Sequence, residues 1–408
     1  MLDAQLAPSA EHAPRLERDH AVPAVATAPS HAGVCRVAVL WIDWYAYHLA
    51  RFAGLAHDPE LAGAVVGLEM VGGIGVHAGL DFRARARGSL SIETLLPDSS
   101  WKDAGQLRLA RAVWQRLGTL RPEVVLVPGY YTLPGLAAAA WARLHAAKSV
   151  LMTESAEQDH CRSWWKERVK AALVCGLFDW AVTGGKAHVR YLERLGFPPR
   201  RIAHFYDVVD NDSYREQTER LRRQPSPGLP RRFFLYVGRL AEEKNVDGLL
   251  RAYAAYRAAG GAWSLVLAGG GPEEPHLRAL AASSSLGAEI HFMGHKSVEE
   301  LLPCYAFAGA LVLPSTREPW GLVVNEAMAS GLPVIVSSRC GCAEDLVADG
   351  VNGFVFDPAR EHDLARSLAA MERLSPAAAA DMAACSRARI ATYSPQNFGR
   401  EIARIARS

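Results

Sequence analysis

GALVLPSTREPWGLVVNEAMASGLPVIVSS, residues 309–338, is the stretch on which the fold turns. Its first seven residues are an apolar run bounded by Pro314, and PVIVSS (333–338) is a second such run. Short apolar runs flanked by chain breakers read as buried strands. Between them LVVNEAMAS has helical spacing and stops at Gly331, a residue suited to the left-handed position past a helix end. The order is strand, loop carrying Glu318, helix carrying Glu326, glycine stop, strand. Glu318 therefore stands beside the helix amino end and Glu326 in its first turns. Such an end presents unpaired N–H groups and partial positive charge, which attract phosphate. Gly321 permits close approach there, and Leu322 and Val323 add their amides. Two fixed carboxylates at such a place suit a ligand with both phosphate and several hydroxyls, as a nucleotide sugar has.

The same alternation runs outward in both directions. FFLYV (233–237), WSLVLA (263–268), EIHF (289–292) and GFVF (353–356) continue the strand set of this half. In the other half CRVAVLW (35–41), GAVVGLEM (63–70), EVVLVP (123–128), SVLMT (149–153) and DWAVT (179–183) read as strands, with helices predicted over 133–147, 161–174 and 186–196. Strands alternating with helices make parallel sheets covered on both faces, so the chain reads as α/β with two doubly wound domains. REQTERLRRQPSPGLPRR (215–232) is charged, holds three prolines and reads as the connection between them.

At 408 residues there is length for two or three cores. Half the residues are apolar and 22% are charged, which excludes disorder as the general state. A net charge of +2 asks for no nucleic acid partner. Seven cysteines without framework spacing read as reduced thiols in a cytoplasm. Residues 1–33 lack the basic start and apolar core of a signal peptide and read as a disordered leader. The least polar window, 61–80, contains Glu69 and six glycines and reads as a strand and turns, not a membrane span.

Four segments stand in order: YVGRLAEEKNVDGLLRAY (236–253), LVLAGGGPEEPHLRALA (265–281), IHFMGHKSVEELLPCYAFAGALVLPS (290–315) and the segment with Glu318 and Glu326. Together they resemble the donor-binding signature of the retaining family 4 glycosyltransferases, over residues 233–360 strongly and over the first half more loosely. The resemblance implies the GT-B fold: two Rossmann-like domains facing across an interdomain cleft. It divides the chain into an acceptor domain (34–214), a nucleotide-sugar domain (233–390) and a last helix (391–408) crossing back to the first domain. It implies transfer of a sugar from a nucleoside-diphosphate donor to an acceptor hydroxyl, with retention of configuration and no metal cofactor.

Each candidate site residue has a chemical reason. Arg239 supplies a planar fork and Lys244 a point charge for a departing diphosphate. By resemblance Glu318 faces the donor sugar and its diphosphate, Glu326 accepts from the ribose hydroxyls, and His295 lies in the base-contacting loop. Gly269 follows a strand and opens a helix, the context in which a glycine turn approaches a nucleotide. On the acceptor side the family's glycine-rich first loop is replaced by Asp43, Trp44 and Tyr45, and His48 is a candidate base. Glu154, and Asp159 after it, are candidates to polarise an acceptor hydroxyl. Asp210-Asn211-Asp212 matches the metal-binding pattern of another transferase class, yet such turns also form for backbone reasons. The basic and aromatic run Arg162–Lys170 suits either an ordinary amphipathic helix or peripheral contact at the inner face of a membrane. Two other functions fit the same donor pocket: a GT-B-shaped isomerase of a nucleotide sugar, and a non-catalytic nucleotide-sugar-binding protein.

Overall fold

The computed structural model describes residues 35–72, 90–157, 163–283 and 287–408. The expected leader, Asp159, Cys161 and Arg162 lie outside them. Among the described residues the first sheet has seven parallel strands: β1 (Val37–Trp41), β2 (Val65–Val71), β3 (Ile92–Leu96), β4 (Val124–Pro128), β5 (Lys148–Thr153), β6 (Trp180–Thr183) and β7 (Ile202–Ala203), in the order β3-β2-β1-β4-β5-β6-β7. Its helices are α1 (Ala46–Ala56), α2 (Gln106–Leu120), α3 (Leu133–Leu144), α4 (Trp164–Leu177) and α5 (Lys186–Arg194). The chain then enters α6 (Asn211–Arg222) and the second sheet: β8 (Phe233–Val237), β9 (Ser264–Ala268), β10 (Ile290–Gly294), β11 (Ala310–Leu313), β12 (Val334–Ser337) and β13 (Gly353–Phe356), in the order β10-β9-β8-β11-β12-β13. Its helices are α7 (Val246–Ala258), α8 (Glu274–Ser283), α9 (Val298–Phe307), α10 (Leu322–Ala329), α11 (Ala343–Leu346), α12 (Glu361–Glu372), α13 (Pro376–Ile390) and α14 (Pro395–Arg407).

Both sheets reverse order beside their first strand, the doubly wound pattern, and helices cover both faces. That is why β1, β8, β9, β11 and β12 are buried at every residue and read as unbroken apolar runs. Side-chain caps set several helix starts. Thr132, Ser375 and Ser394 each accept from the amide three residues on, and Ser297 forms a reciprocal capping box with Glu300.

One boundary differs from expectation. Residues 215–222 complete α6, so only 223–232 remain outside a helix or strand. This helix packs on α9 and α10, with Tyr214 and Thr218 as its buried face. Two buried residues among many charges are too few for sequence periodicity to register. At the other end α14 lies along α1, and Phe398, Ile402 and Ile405 join Phe52 and Leu55 in the first domain's core. Lys148 Nζ donates to the Ile405 and Ala406 carbonyls at 3.0 and 3.1 Å, capping that helix's carboxyl end.

Candidate functional site

Parallel strands bring their carboxyl ends, and the loops that follow, to one edge of a sheet. In the second sheet these loops are sewn together through their backbones. Gly238 N–H donates to Ala268 O at 3.0 Å and Leu240 N–H to Gly270 O at 2.9 Å. Gly269 N–H reaches Gly294 O at 2.8 Å, and Thr316 N–H reaches Glu243 O at 2.9 Å. Asn245 Nδ2 adds a bond to Pro314 O at 3.1 Å. Gly269 sits at φ 147°, and a Cβ there would fall 1.8 Å from Gly238 O. Any side chain would separate the β8 and β9 loops.

On this base the charged side chains converge. Lys244 Nζ donates to Glu318 Oε2 at 2.5 Å, with side chains 18% and 11% exposed. Ser315 Oγ donates to the same oxygen at 3.3 Å. Arg239, on the same loop as Lys244, is half exposed and pairs with Glu243. Gly321 is the N-cap of α10 in the left-handed region, φ 102°. The first backbone bond of that helix runs from Val324 N–H to Gly321 O at 2.9 Å, so the amides of Gly321, Leu322 and Val323 stand ahead of it. His295 follows Gly294 and is exposed next to the Gly269 turn.

Glu326 lies one turn further along α10. Its Oε2 accepts from Tyr305 OH at 2.6 Å, and Tyr214 of α6 also bonds it. Burial pushes this carboxyl above its usual range, against the pull of the two hydroxyls. The tyrosines are driven upward by burial and then by Glu326 itself, so both stay protonated donors. Lys244 and Glu318 are thus in contact, with Arg239, Gly269, His295 and the start of α10 on loops of the same edge.

The first domain is arranged differently. His48 is 8% exposed, stacks on Trp41 at 4.6 Å, and holds Nδ1 3.0 Å from Asp43 O and 3.3 Å from Tyr45 N–H. Burial and then Arg51 drive its pKa well down, so it is neutral. A ring packed and bonded in this way holds the β1–α1 loop. Trp44 likewise belongs to the core, edge-on to Phe52. Asp210 caps α6 by accepting from Ser213 N–H at 3.0 Å, and Asp212 pairs with Arg215 at 2.8 Å. Both acids have local duties. Glu154, just past β5, is partly buried within electrostatic reach of Tyr47, Arg51, Tyr131, Tyr206 and Asp207.

Sequence reasoning missed a buried pair within the first domain and the residues that tie that domain to the second. Arg51 Nη2 donates to Asp207 Oδ1 at 3.0 Å with neither side chain exposed. Asn325 Nδ2 donates to Asp207 O at 2.8 Å, and Asn325 Oδ1 accepts from Trp320 Nε1 at 2.9 Å. His188 accepts from Gly185 N–H at Nδ1, 3.2 Å, so Nε2 carries the proton given to Pro319 O at 3.0 Å. The only signal for the first pair was an arginine among apolar residues of HLARFAGL (48–55).

Residues 217–388 match the family model described as Glycosyl transferases group 1. Alpha-D-kanosaminyltransferase of Streptomyces kanamyceticus is 30% identical over 217 residues, 52% of this chain and 53% of that enzyme. D-inositol 3-phosphate glycosyltransferase of Corynebacterium glutamicum is 34% identical over 160 residues, 38% of either chain. The chain thus spans about half or less of these curated relatives. Among solved structures, Anabaena HepE in complex with UDP and glucose superposes with a TM-score of 0.70 at 18% identity, covering 91% of this chain and 99% of that one. Sucrose-phosphate synthase of Thermosynechococcus elongatus gives 0.67 at 17% identity, over 91% and 98%. These likenesses establish the fold as GT-B.

Proposed function

We propose, for a chain that carries a glycosyl transferases group 1 domain within a GT-B fold, that it is a retaining glycosyltransferase moving a sugar from a nucleoside diphosphate to an acceptor hydroxyl. The observation that carries this reading is the Lys244–Glu318 contact beside the free amides of α10. Cations fixed where a diphosphate departs stabilise charge that grows in the transition state, and so raise turnover rather than ground-state binding. Lys244 is paired with Glu318. A diphosphate seated on the Gly321–Val323 amides takes over that cation, leaving Glu318 to the sugar hydroxyls. Glu326, steadied by two tyrosines, receives the ribose hydroxyls, and the Gly269 and His295 loops border the base. Sugar and phosphate part on the face from which the acceptor arrives, the departing phosphate takes the acceptor's proton, and configuration is kept. The reaction needs no metal. The match to named transferases supports transfer over the isomerase and over a non-catalytic binder.

Titration with UDP-, GDP- and ADP-sugars, followed by product analysis in excess chelator, tests the reading. Saturable binding of one donor with nucleoside diphosphate release is expected. Failure of all three to bind, or activity restored only by Mn²⁺, refutes the donor assignment or the metal-free mechanism respectively.

The acceptor reading extends to a membrane surface because of α4. Among its fourteen residues only Val174 is fully buried. Trp165 (52% exposed), Val169 (54%) and Leu173 form an apolar stripe at i, i+4 and i+8, with Trp164 at 75% beside it. Exposed Lys166 and Arg168 flank the stripe. Among the described residues no helix is long and apolar enough to cross a membrane. Contact at the cytoplasmic face would be peripheral, through anionic lipid. Co-sedimentation with anionic vesicles that falls on Trp164→Ser/Trp165→Ser supports this; unchanged co-sedimentation rejects it.

A further inference from the structure

The end of β6 and the start of α5 press against the loop that carries Glu318, although they belong to different domains. Gly184 and Gly185 join those two elements, and both abut the Trp320 ring. A Cβ on Gly184 would fall 2.9 Å from that ring and 2.1 Å from Asp207 Oδ2. One on Gly185 would fall 2.8 Å from the ring and 2.3 Å from Asp345 Oδ2. Any side chain here would push the two surfaces apart. Asp345 of α11 accepts from Lys186 N–H at 3.0 Å, so a second-domain carboxylate caps a first-domain helix. Its Oδ1 accepts from Tyr393 OH at 3.2 Å.

In the loop itself the carbonyls of Glu318, Pro319 and Trp320 are all engaged. Glu318 O accepts from Gly341 N–H at 2.9 Å and Trp320 O from Cys342 N–H at 3.2 Å, both within the second domain. The middle one, Pro319 O, accepts from His188 Nε2 of α5 at 3.0 Å. Proline has no N–H, so this carbonyl is the only backbone polar group by which residue 319 is held. Gly341 backs the same oxygen so closely that a Cβ there would fall 1.7 Å from it and 3.3 Å from His188 Nε2. His188 has no exposure, and Gly185 N–H donates to its Nδ1 at 3.2 Å. That bond fixes the tautomer, keeping the proton on Nε2 and aimed at Pro319. A helix start needs only the Nδ1 contact; the second nitrogen reaches into the other domain.

Resting on the glycosyltransferase reading, we infer that His188 is a positioning residue: through Pro319 O it holds the Glu318 loop from the first domain and so sets the carboxylate that faces the donor sugar. Glu318 immediately precedes Pro319, whose ring fixes its own φ and restricts the backbone of the residue before it. A displacement of the Pro319 carbonyl is therefore carried to Glu318 rather than absorbed between them. Lys244 and Ser315 hold the tip of that side chain, and His188 holds the backbone beneath it. The sugar end of the pocket is thus assembled from both domains. The phosphate end, on the amides of α10, belongs to the second domain alone.

The test uses the full chain and the sugar nucleotide that it binds from the UDP-, GDP- and ADP-sugar panel, with water as acceptor. His188→Gln keeps an N–H donor where Nε2 stands, and His188→Met fills the site with none. Neither keeps Nδ1 in place, so both share any damage to the start of α5. His188→Met is expected to lose at least tenfold in kcat for donor hydrolysis and His188→Gln to stay within threefold of wild type, with the Kd for the nucleoside diphosphate within twofold in both. His188→Asn keeps an acceptor for Gly185 N–H and drops the donor, so it should share the loss of His188→Met, and it decides the matter if His188→Met leaves the chain unfolded. Equal losses in His188→Gln and His188→Met, or normal kcat in folded His188→Met or His188→Asn, overturn the inference. A loss that appears only as weaker nucleoside diphosphate binding overturns it too. If the wild-type chain neither binds nor hydrolyses any donor of the panel, the glycosyltransferase reading fails first, a result distinct from all of these.

Discussion

Two of the cation–carboxylate pairs that join distant parts of the chain, Lys244–Glu318 and Arg51–Asp207, are built to opposite specifications. Lys244–Glu318 lies at the rim of the second sheet, reachable by solvent, between loops sewn together by backbone bonds. Arg51–Asp207 lies under the first sheet's edge with no exposure at all. An open pair can exchange its partner for a ligand at little expense. A sealed pair cannot, since either member left alone is a bare charge in a poor dielectric. The contrast teaches that the first is suited to meeting a diphosphate and the second to holding geometry.

The sharpest way to break this contrast is to remove one carboxylate from the sealed pair. Asp207→Leu should destabilise the chain by about 3–5 kcal/mol, seen in thermal or urea unfolding, whereas Arg51→Met/Asp207→Leu together should recover most of that loss. If Glu318→Gln destabilised the chain as much as Asp207→Leu, the two pairs would not differ as described. Next in size, Lys244→Ala should lower donor turnover about 10²–10³-fold while changing stability by about 1 kcal/mol or less, measured by initial rates and unfolding of one preparation. Asn325→Ala should cost about 1–3 kcal/mol, because it strips a donor from the buried Asp207 carbonyl and an acceptor from the Trp320 indole. Unaltered unfolding would mean that this tie is idle. The smallest expected change is in Glu326→Gln: nucleoside diphosphate binding weakened about tenfold by titration, about 1.4 kcal/mol, with the fold intact.

What could be read in advance follows the same division. Strands with both faces covered announced themselves, as FFLYV and PVIVSS did. β3, an edge strand with every residue half-buried and a glutamate in it, did not, nor did the two-residue β7. The candidate site of the second sheet was legible because its charged residues fall in loops directly after strands, so that local order already predicts convergence. Lys244 and Glu318 are far apart in number but occupy equivalent places after neighbouring strands β8 and β11. The sealed pair had no such marker. Asp207 belongs to an irregular segment after β7, Arg51 looks like a lapse in an apolar helix, and only the folded sheet brings them together. His48 shows the complementary limit, since a titratable residue after a first strand suggests chemistry, and its stacking on Trp41 and bonds within the β1–α1 loop are visible only in the fold.

The return of α14 onto α1 has a practical consequence for anyone recombining such proteins. The first domain is discontinuous in the gene: its hydrophobic interior is completed by residues of α14, beyond the whole second domain. A chimera that exchanges donor specificity with a relative therefore requires two junctions, one between β7 and α6 and one between α13 and α14. A single crossover would graft a foreign helix onto the first domain and leave Phe398, Ile402 and Ile405 without their native sockets.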